Sequence, residues 1–365
     1  MLIGIDASRA VSDAPTGTET YSRELIRALL ALNGTHAYRL YTRERVPREY
    51  FGASANFQVR AMPFPRLWSH LRLSLEMVAR PPEVLFVPAH VLPLVHPRRS
   101  IVTVHDLGQL HFPDAYPARQ RLYHNASARW NARGAAHLFV DSEATRDDVA
   151  RFYRVAPDKM TVVYPAYDAR LYQPGRDAAR IEAIQSRFRI GGDYVLAVGT
   201  IHPRKNYARL IEAFSKLTIP HCQLVIVGKR GWLFGSIVDR AKSLGLASRV
   251  LFLDYVPAAE MPALVSGARV FAFPSLHEGF GLPVLEAQAC GTPVVCSMTS
   301  SFPEVAGDAA LFVDPFDVDA LAAALERAWV DDALRAKLIA HGFENVKRFS
   351  WDKSARQVLD VFARM

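Results

Sequence analysis

Short, mostly apolar runs alternate with amphipathic ones along the whole chain. The apolar runs Leu2–Ile5, Tyr38–Tyr41, Phe57–Ala61, Val84–Val87, Ile101–Val104, His137–Val140 and Thr161–Val163 predict strands in the first half. Tyr194–Val198, Gln223–Val227, Val250–Leu253, Val270–Ala272, Val294–Cys296 and Ala310–Val313 predict six more in the second. Helical periodicity fills the gaps at Glu19–Leu32, Ser142–Phe152, Tyr207–Lys216, Ser236–Ser243 and Val318–Val330. A last helical run has Ser350 as its cap and apolar positions at 351, 355, 358, 359 and 362. Strands alternating with helices predict parallel α/β sheets. Pro165-Ala-Tyr-Asp, Gln173-Pro-Gly-Arg and Gly191-Gly-Asp mark a seam, after which a fresh strand begins. The pattern therefore predicts two doubly wound, Rossmann-like domains, residues 1–168 and 193–348. A linker (169–192) joins them, and a helical segment (349–365) follows.

Composition adds little to that picture. Half of the 365 residues are apolar, enough for two cores, and no run is long enough for a transmembrane helix. Met1-Leu-Ile-Gly-Ile-Asp6 lacks the basic lead and cleavage site of a signal peptide. Cys222, Cys290 and Cys296 form no disulfide framework or metal-binding spacing. A cytoplasmic protein is expected. The net charge of +8 is uneven: residues 1–165 carry 21 basic and 15 acidic side chains, the remainder 23 and 21. Anionic membrane, a phosphorylated acceptor or nucleic acid would each match the basic half, as would a generally basic surface. Two aromatic and basic stretches lie there, Phe64–Arg72 and Arg119–Trp130. They read either as acceptor or membrane-surface helices or as amphipathic helices on the domain core.

The chemistry concentrates in Glu278-Gly-Phe-Gly-Leu-Pro-Val-Leu-Glu286. The first carboxylate follows a buried strand, the glycines form a tight loop, and Pro283 suits the first helical position. Carboxylates grip hydroxyls, and free N–H groups at a helix start hold an anion. Arg204 and Lys205 follow another strand and precede a helix, where adjacent cations oppose the helix dipole unless an anion arrives. A planar fork beside a point charge suits a diphosphate. Gly17, before the first helix, permits close approach of backbone to phosphate, but this is not the dinucleotide signature. His105 and Asp106 end a strand, placed to contact a hydroxyl; the histidine also suits proton transfer. Gly228-Lys-Arg-Gly231 follows a strand and either contacts phosphate or turns the chain. Tyr255-Val-Pro257 presents backbone to a flat ring.

Gly17, Arg204-Lys205 and the Glu278…Glu286 segment occur in an order that resembles the retaining nucleotide-sugar glycosyltransferases of family 4 (group 1), with the GT-B fold. The resemblance covers nearly the whole chain and is strongest over residues 195–315. It implies two Rossmann-like domains facing across a cleft, with the C-terminal helix crossing back to the first. It implies that Glu286 binds the ribose hydroxyls and Glu278 the transferred hexose. The backbone of Gly279, Phe280, Gly281 and Leu282 would hold hexose and phosphate. Arg204 and Lys205 would bind the diphosphate, with Gly17 and Thr18 closing on it from the other domain. His105 would sit near the reacting sugar, and Tyr255 and Val256 near the base.

Cleavage of a sugar–phosphate bond puts negative charge on the leaving diphosphate, and two fixed cations with a helix start stabilise it. They replace a divalent metal, and Asp317-Val-Asp319 reads as a helix cap, so metal independence is expected, with no cofactor beyond the donor. Retention would follow from front-face transfer without an enzymic nucleophile, so the glutamates are not a glycosidase pair. The wording of Val198–Asn206 and Val227–Trp232 is similar to that of mannosyl- and rhamnosyl-type transferases of bacterial surface polysaccharide, which points to GDP-mannose over UDP-sugars. The expected acceptor is a glycan or lipid-linked glycan, not nucleic acid, with peripheral contact to anionic membrane through the basic first domain. A sugar-nucleotide epimerase and a non-catalytic nucleotide-sugar binding protein are the alternatives.

Overall fold

The computed structural model describes residues 1–12, 15–32, 34–89, 91–175 and 177–365; Arg176 of the predicted seam lies outside them. The chain forms two compact units. Residues 1–110, 118–166 and 349–365 make the first, and residues 111–117 and 167–348 the second.

Among the described residues the first unit has seven strands: β1 (Leu2–Asp6), β2 (Ala37–Thr42), β3 (Phe57–Ala61), β4 (Val84–Val87), β5 (Ser100–Val104), β6 (His137–Val140) and β7 (Met160–Val162). They are all parallel, in the order β3-β2-β1-β4-β5-β6-β7. Every residue of β4 and β5 is buried, as expected where helices cover both faces. One core joins Ile5 and Phe86 of the sheet to Leu25 and Leu29 of helix Gly17–Ala31. Val358 and Phe362 of the final helix, Trp351–Arg364, enter the same core. Ser350 caps that helix, its hydroxyl accepting from Lys353 N at 3.2 Å.

Among the described residues the second unit has six strands: β8 (Tyr194–Val198), β9 (Gln223–Val227), β10 (Val250–Leu253), β11 (Val270–Phe273), β12 (Val294–Ser297) and β13 (Ala310–Val313). These are also parallel, in the order β10-β9-β8-β11-β12-β13. Leu210 and Phe214 of helix Tyr207–Ser215 pack with Leu321 and Leu325 of helix Val318–Val330 on one face. Asp317 caps the latter, accepting from Ala320 N at 2.8 Å. All three cysteines are buried and free.

In each sheet the order of strands reverses at one place, between β1 and β4 and between β8 and β11. The loops leaving the carboxyl ends of such a pair diverge and open a crevice. In the second unit those loops are 199–206 and 274–281, the segments that carry Arg204, Lys205 and Glu278.

Candidate active site

The chain leaves β8 at Gly199 and forms a 3-10 turn over Pro203–Lys205. Arg204 and Lys205 thus sit on their own turn, ahead of helix Tyr207–Ser215. Asn206 closes the turn at φ 61°, a left-handed conformation that Asn tolerates better than most residues. Its buried amide donates to Pro274 O at 3.1 Å and to Pro315 O at 2.7 Å. Leu276 N donates to Arg204 O at 2.9 Å. These bonds tie the loop after β8 to the loop after β11. The sequence did not single out Asn206; an Asn after the cation pair, at a turn into a helix, was the available signal.

Tying the loops brings three charges together. Lys205 Nζ lies 2.7 Å from Glu278 Oε1, and Arg204 Nη1 lies 3.2 Å from Glu278 Oε2. Arg204 also donates to His277 O. The three side chains are only 10–11% exposed. Burial pushes the Glu278 carboxyl up, but Arg204 and Lys205 beside it outweigh that and hold it down at about 2. The Lys205 ammonium also lies 4.8 Å from the centre of the Phe273 ring, a cation–π contact. Two cations and one carboxylate leave a net positive charge at the crevice. Each carboxylate oxygen keeps a second lone pair for a further donor.

The loop that holds Glu278 is set by hydroxyls. Ser297 Oγ donates to Ser275 O at 2.7 Å and Thr299 Oγ1 to Leu276 O at 3.3 Å. Ser300 Oγ donates to Glu278 O at 2.5 Å, and Ser301 Oγ to Glu278 O at 3.1 Å and Phe280 O at 2.8 Å. This run after β12 was also missed; its signal was four hydroxyl residues within Ser297-Met-Thr-Ser-Ser301. Gly281 then turns the chain at φ +102°, where a side chain would be strained, and caps helix Leu282–Ala289. Pro283 is the second residue of that helix, not the first, because the helix begins one residue earlier than the proline suggests. The helix start faces the crevice loop, so its N–H groups are oriented for an anion.

Glu286 lies one turn into the same helix. It is partly accessible, but burial pushes its carboxyl up to about 7, with Asp168 adding to the rise and a hydrogen bond from Tyr172 opposing it. The two glutamates of one motif therefore differ in charge state: one is held ionised by cations, the other is poised near neutrality. Tyr255 is exposed at the end of β10, with Lys229 Nζ 5.5 Å from its ring centre. The side chains of Val256 and Phe280 are buried, so only their backbone is left to meet a ligand. The short segment 111–117 belongs to this unit and lies beside its loops. His111 stacks on His277 at 4.5 Å, Phe112 lies 6.4 Å from Phe316, and Trp232 stacks on His202 at 4.6 Å while donating to Ala115 O.

The first unit holds the remaining candidates. Gly17 and Thr18 are the first two residues of helix Gly17–Ala31, so the helix starts two residues before the periodicity predicts. The cause is a capping interaction: Glu19 Oε2 accepts from Thr16 N at 2.7 Å and from Thr16 Oγ1 at 2.8 Å. A Cβ on Gly17 would meet nothing within 4 Å, so packing of the chain itself makes no demand for glycine there. His105 Nδ1 lies 2.7 Å from Asp141 Oδ2, and Nε2 lies 2.9 Å from Pro88 O. The Asp141 carboxylate and the Pro88 carbonyl can each accept from the ring, an arrangement that favours its protonated form. Burial lowers its pKa, but the Asp141 carboxylate more than offsets this and the net shift is upward. A ring held by these two neighbours is biased away from acting as a base, which bears on the proton-transfer role read from the sequence. Tyr21 packs edge-on to the ring at 4.8 Å and is itself backed by Trp351 of the final helix at 5.7 Å. Asp141, at the end of β6, was not anticipated, because its partner is 36 residues away.

The chain matches the family model described as Glycosyltransferase Family 4 over residues 15–171 and that described as Glycosyl transferases group 1 over residues 181–345. It is 33% identical over 270 residues to O-antigen chain mannosyltransferase B of Escherichia coli, covering 72% of this chain and 70% of that protein. It is 30% identical over 277 residues to the serotype-specific mannosyltransferase WbdA of Escherichia coli, covering 74% of this chain but 34% of that longer protein. The structure of sucrose-phosphate synthase from Thermosynechococcus elongatus has the same fold, with a TM-score of 0.79 at 22% identity over 100% of this chain and 98% of that one. With two family models spanning both units and a relative aligned along most of its own length, the chain belongs to the group 1, family 4 glycosyltransferases.

Proposed function

We propose that the chain transfers a mannosyl unit from GDP-mannose to a glycan or lipid-linked glycan, with retention at the anomeric carbon and without a metal ion or other cofactor. The observation that carries this reading is the Arg204–Glu278–Lys205 cluster at the strand-order reversal of the second sheet. Arg204 and Lys205 take the diphosphate and stabilise the charge that builds on it as the glycosidic bond breaks. Glu278 keeps both cations in place and offers its remaining lone pairs to hexose hydroxyls. The backbone at Gly279, Phe280, Gly281 and Leu282 holds hexose and phosphate. Glu286 accepts from the ribose hydroxyls, and Tyr255 and the Val256 backbone flank the base. Gly17 and Thr18 offer a second helix start to the phosphates. His105 lies near the reacting sugar, with Asp141 favouring its charged form. The proton of the acceptor hydroxyl passes to a phosphate oxygen of the donor. The choice of mannose rests on the two mannosyltransferases among the relatives.

A thermal-shift screen of GDP, UDP, ADP and their sugars tests the donor, because a ligand of the folded state raises apparent stability with its affinity. GDP-mannose is expected to give the largest shift and UDP-sugars less. Product analysis with EDTA present tests the metal: transfer should persist, and complete loss restored by a divalent ion would refute metal independence. A new sugar nucleotide formed without acceptor would identify an epimerase instead.

Glu286 makes the donor step depend on pH. Only the carboxylate accepts from both ribose hydroxyls, and its pKa is about 7. The KM for donor should therefore fall as pH rises from about 6 to about 8, and Glu286→Gln should flatten that slope. A slope unchanged in the variant would remove Glu286 from the ribose.

A further inference from the structure

We propose that Ser300 is a specificity-determining residue of the donor site: its strained backbone holds Glu278 where one hexose configuration fits and its epimers do not. The inference rests on the hexose contact proposed above for Glu278.

The backbone supplies the first observation. Ser300 stands at φ 56°, in the left-handed region. That region is unfavourable for any residue with a Cβ, and Gly, Asn and Asp enter it far more readily than Ser. Strain of this kind persists where the surrounding structure enforces it, and it gathers at functional sites.

The second observation is what the conformation achieves. One hydroxyl takes both backbone groups of Glu278: Ser300 Oγ accepts from Glu278 N at 3.3 Å and donates to Glu278 O at 2.5 Å. Ser301 Oγ donates to the same carbonyl at 3.1 Å, which occupies both of its lone pairs. The main chain of Glu278 is therefore spent on the bend after β12. Its carboxylate is held separately, by Lys205 at 2.7 Å and Arg204 at 3.2 Å. A side chain fixed at both its root and its tip has little freedom to follow a misfitting sugar.

The loop after β11 is gripped in the same manner from its other neighbour. Asn206, at φ 61°, donates to Pro274 O at 3.1 Å. A left-handed residue with a polar side chain thus holds each end of the segment 274–278. Asn206 is buried, whereas Ser300 is half-buried and follows the exposed Met298. The more strained of the two grips is the one on Glu278 itself. Selectivity follows from the rigidity: an epimer that turns a hydroxyl away leaves a buried acceptor unpaired, and a carboxylate that cannot shift finds no substitute.

Two variants separate strain from hydrogen bonding. Ser300→Ala keeps the strained backbone and loses the hydroxyl, so it should melt below the wild type. Ser300→Gly loses the hydroxyl but relieves the strain, so its melting temperature should lie close to that of the wild type. Both should bind GDP as the wild type does, because GDP carries no hexose. Both should lower the preference in kcat/KM for GDP-mannose over GDP-glucose, its epimer at C2, by roughly tenfold. A purely structural role would instead return selectivity together with stability in the glycine variant, and that result overturns the proposal. So does a loss of GDP binding in step with transfer. UDP-glucose and UDP-galactose are assayed in parallel. A wild type that prefers a uridine donor would overturn the GDP-mannose reading, and the selectivity of the variants would then be measured on that pair of epimers.

Discussion

Lys205→Ala is expected to lower kcat/KM for transfer by roughly 10²- to 10³-fold, the loss seen when one preorganised donor to a developing anion is removed. The ammonium is held by Glu278 at 2.7 Å and by the Phe273 ring, so little reorganisation is needed as charge builds. The fold should survive, because Glu278 keeps Arg204 at 3.2 Å as a partner. Lys205→Arg should not restore activity: a planar fork does not occupy the place of a compact ammonium over Phe273. Steady-state kinetics with the donor varied, beside melting curves, measure both parts. Turnover at the wild-type rate in Lys205→Ala would remove the diphosphate assignment.

Glu278→Gln separates two jobs of one side chain. The carboxylate neutralises two buried cations and faces the proposed hexose subsite. In the variant the cations lose their anion, so GDP, which carries a diphosphate but no hexose, should bind at least as tightly as to the wild type. Transfer should nevertheless fall by roughly 10²-fold, since the hexose loses a charged acceptor. Glu278→Ala should also cost roughly 3–5 kcal/mol of stability, the usual penalty for stranding one side of a buried ion pair. Calorimetric titration with GDP and a transfer assay decide the matter. Loss of GDP binding in parallel with transfer would show that Glu278 only shapes the cation site.

The same two carboxyls act on stability with opposite signs. The folded-state pKa of Glu278, about 2, lies below the ordinary value. Its contribution is complete above the ordinary carboxylate range and is lost as pH falls towards 2. Glu286, raised to about 7, contributes most below that range and loses its contribution as pH rises through 7.

Much of the fold was legible in the chain. Strands covered on both faces must be almost wholly apolar, so the inner strands such as β4, β11 and β12 show as short hydrophobic runs, whereas the half-exposed edge strand β3 carries Gln58 and Arg60. The caps Ser350 and Asp317 were legible for a similar reason: an N-cap bonds to an N–H three residues on, within the reach of local pattern. Cations and carboxylates at strand ends could be named as ligand-facing because parallel α/β sheets bind at their carboxyl edge.

What only the tertiary structure decided is everything that depends on groups distant in the chain or on loss of water. Lys205 and Glu278 are 73 residues apart and meet only because β8 and β11 are neighbours in the sheet. Asp141 reaches His105 across two adjacent strands and favours the charged form of a candidate base. The hydroxyls of Ser297–Ser301 and the amide of Asn206 shape the site through bonds that periodicity does not record. The ionisation of Glu286 follows from its enclosure near Tyr172 and Asp168, not from its place in a motif. Secondary structure is written in contacts along the chain, within reach of a few residues; charge state and loop geometry are set by what folding brings alongside and by the water it removes.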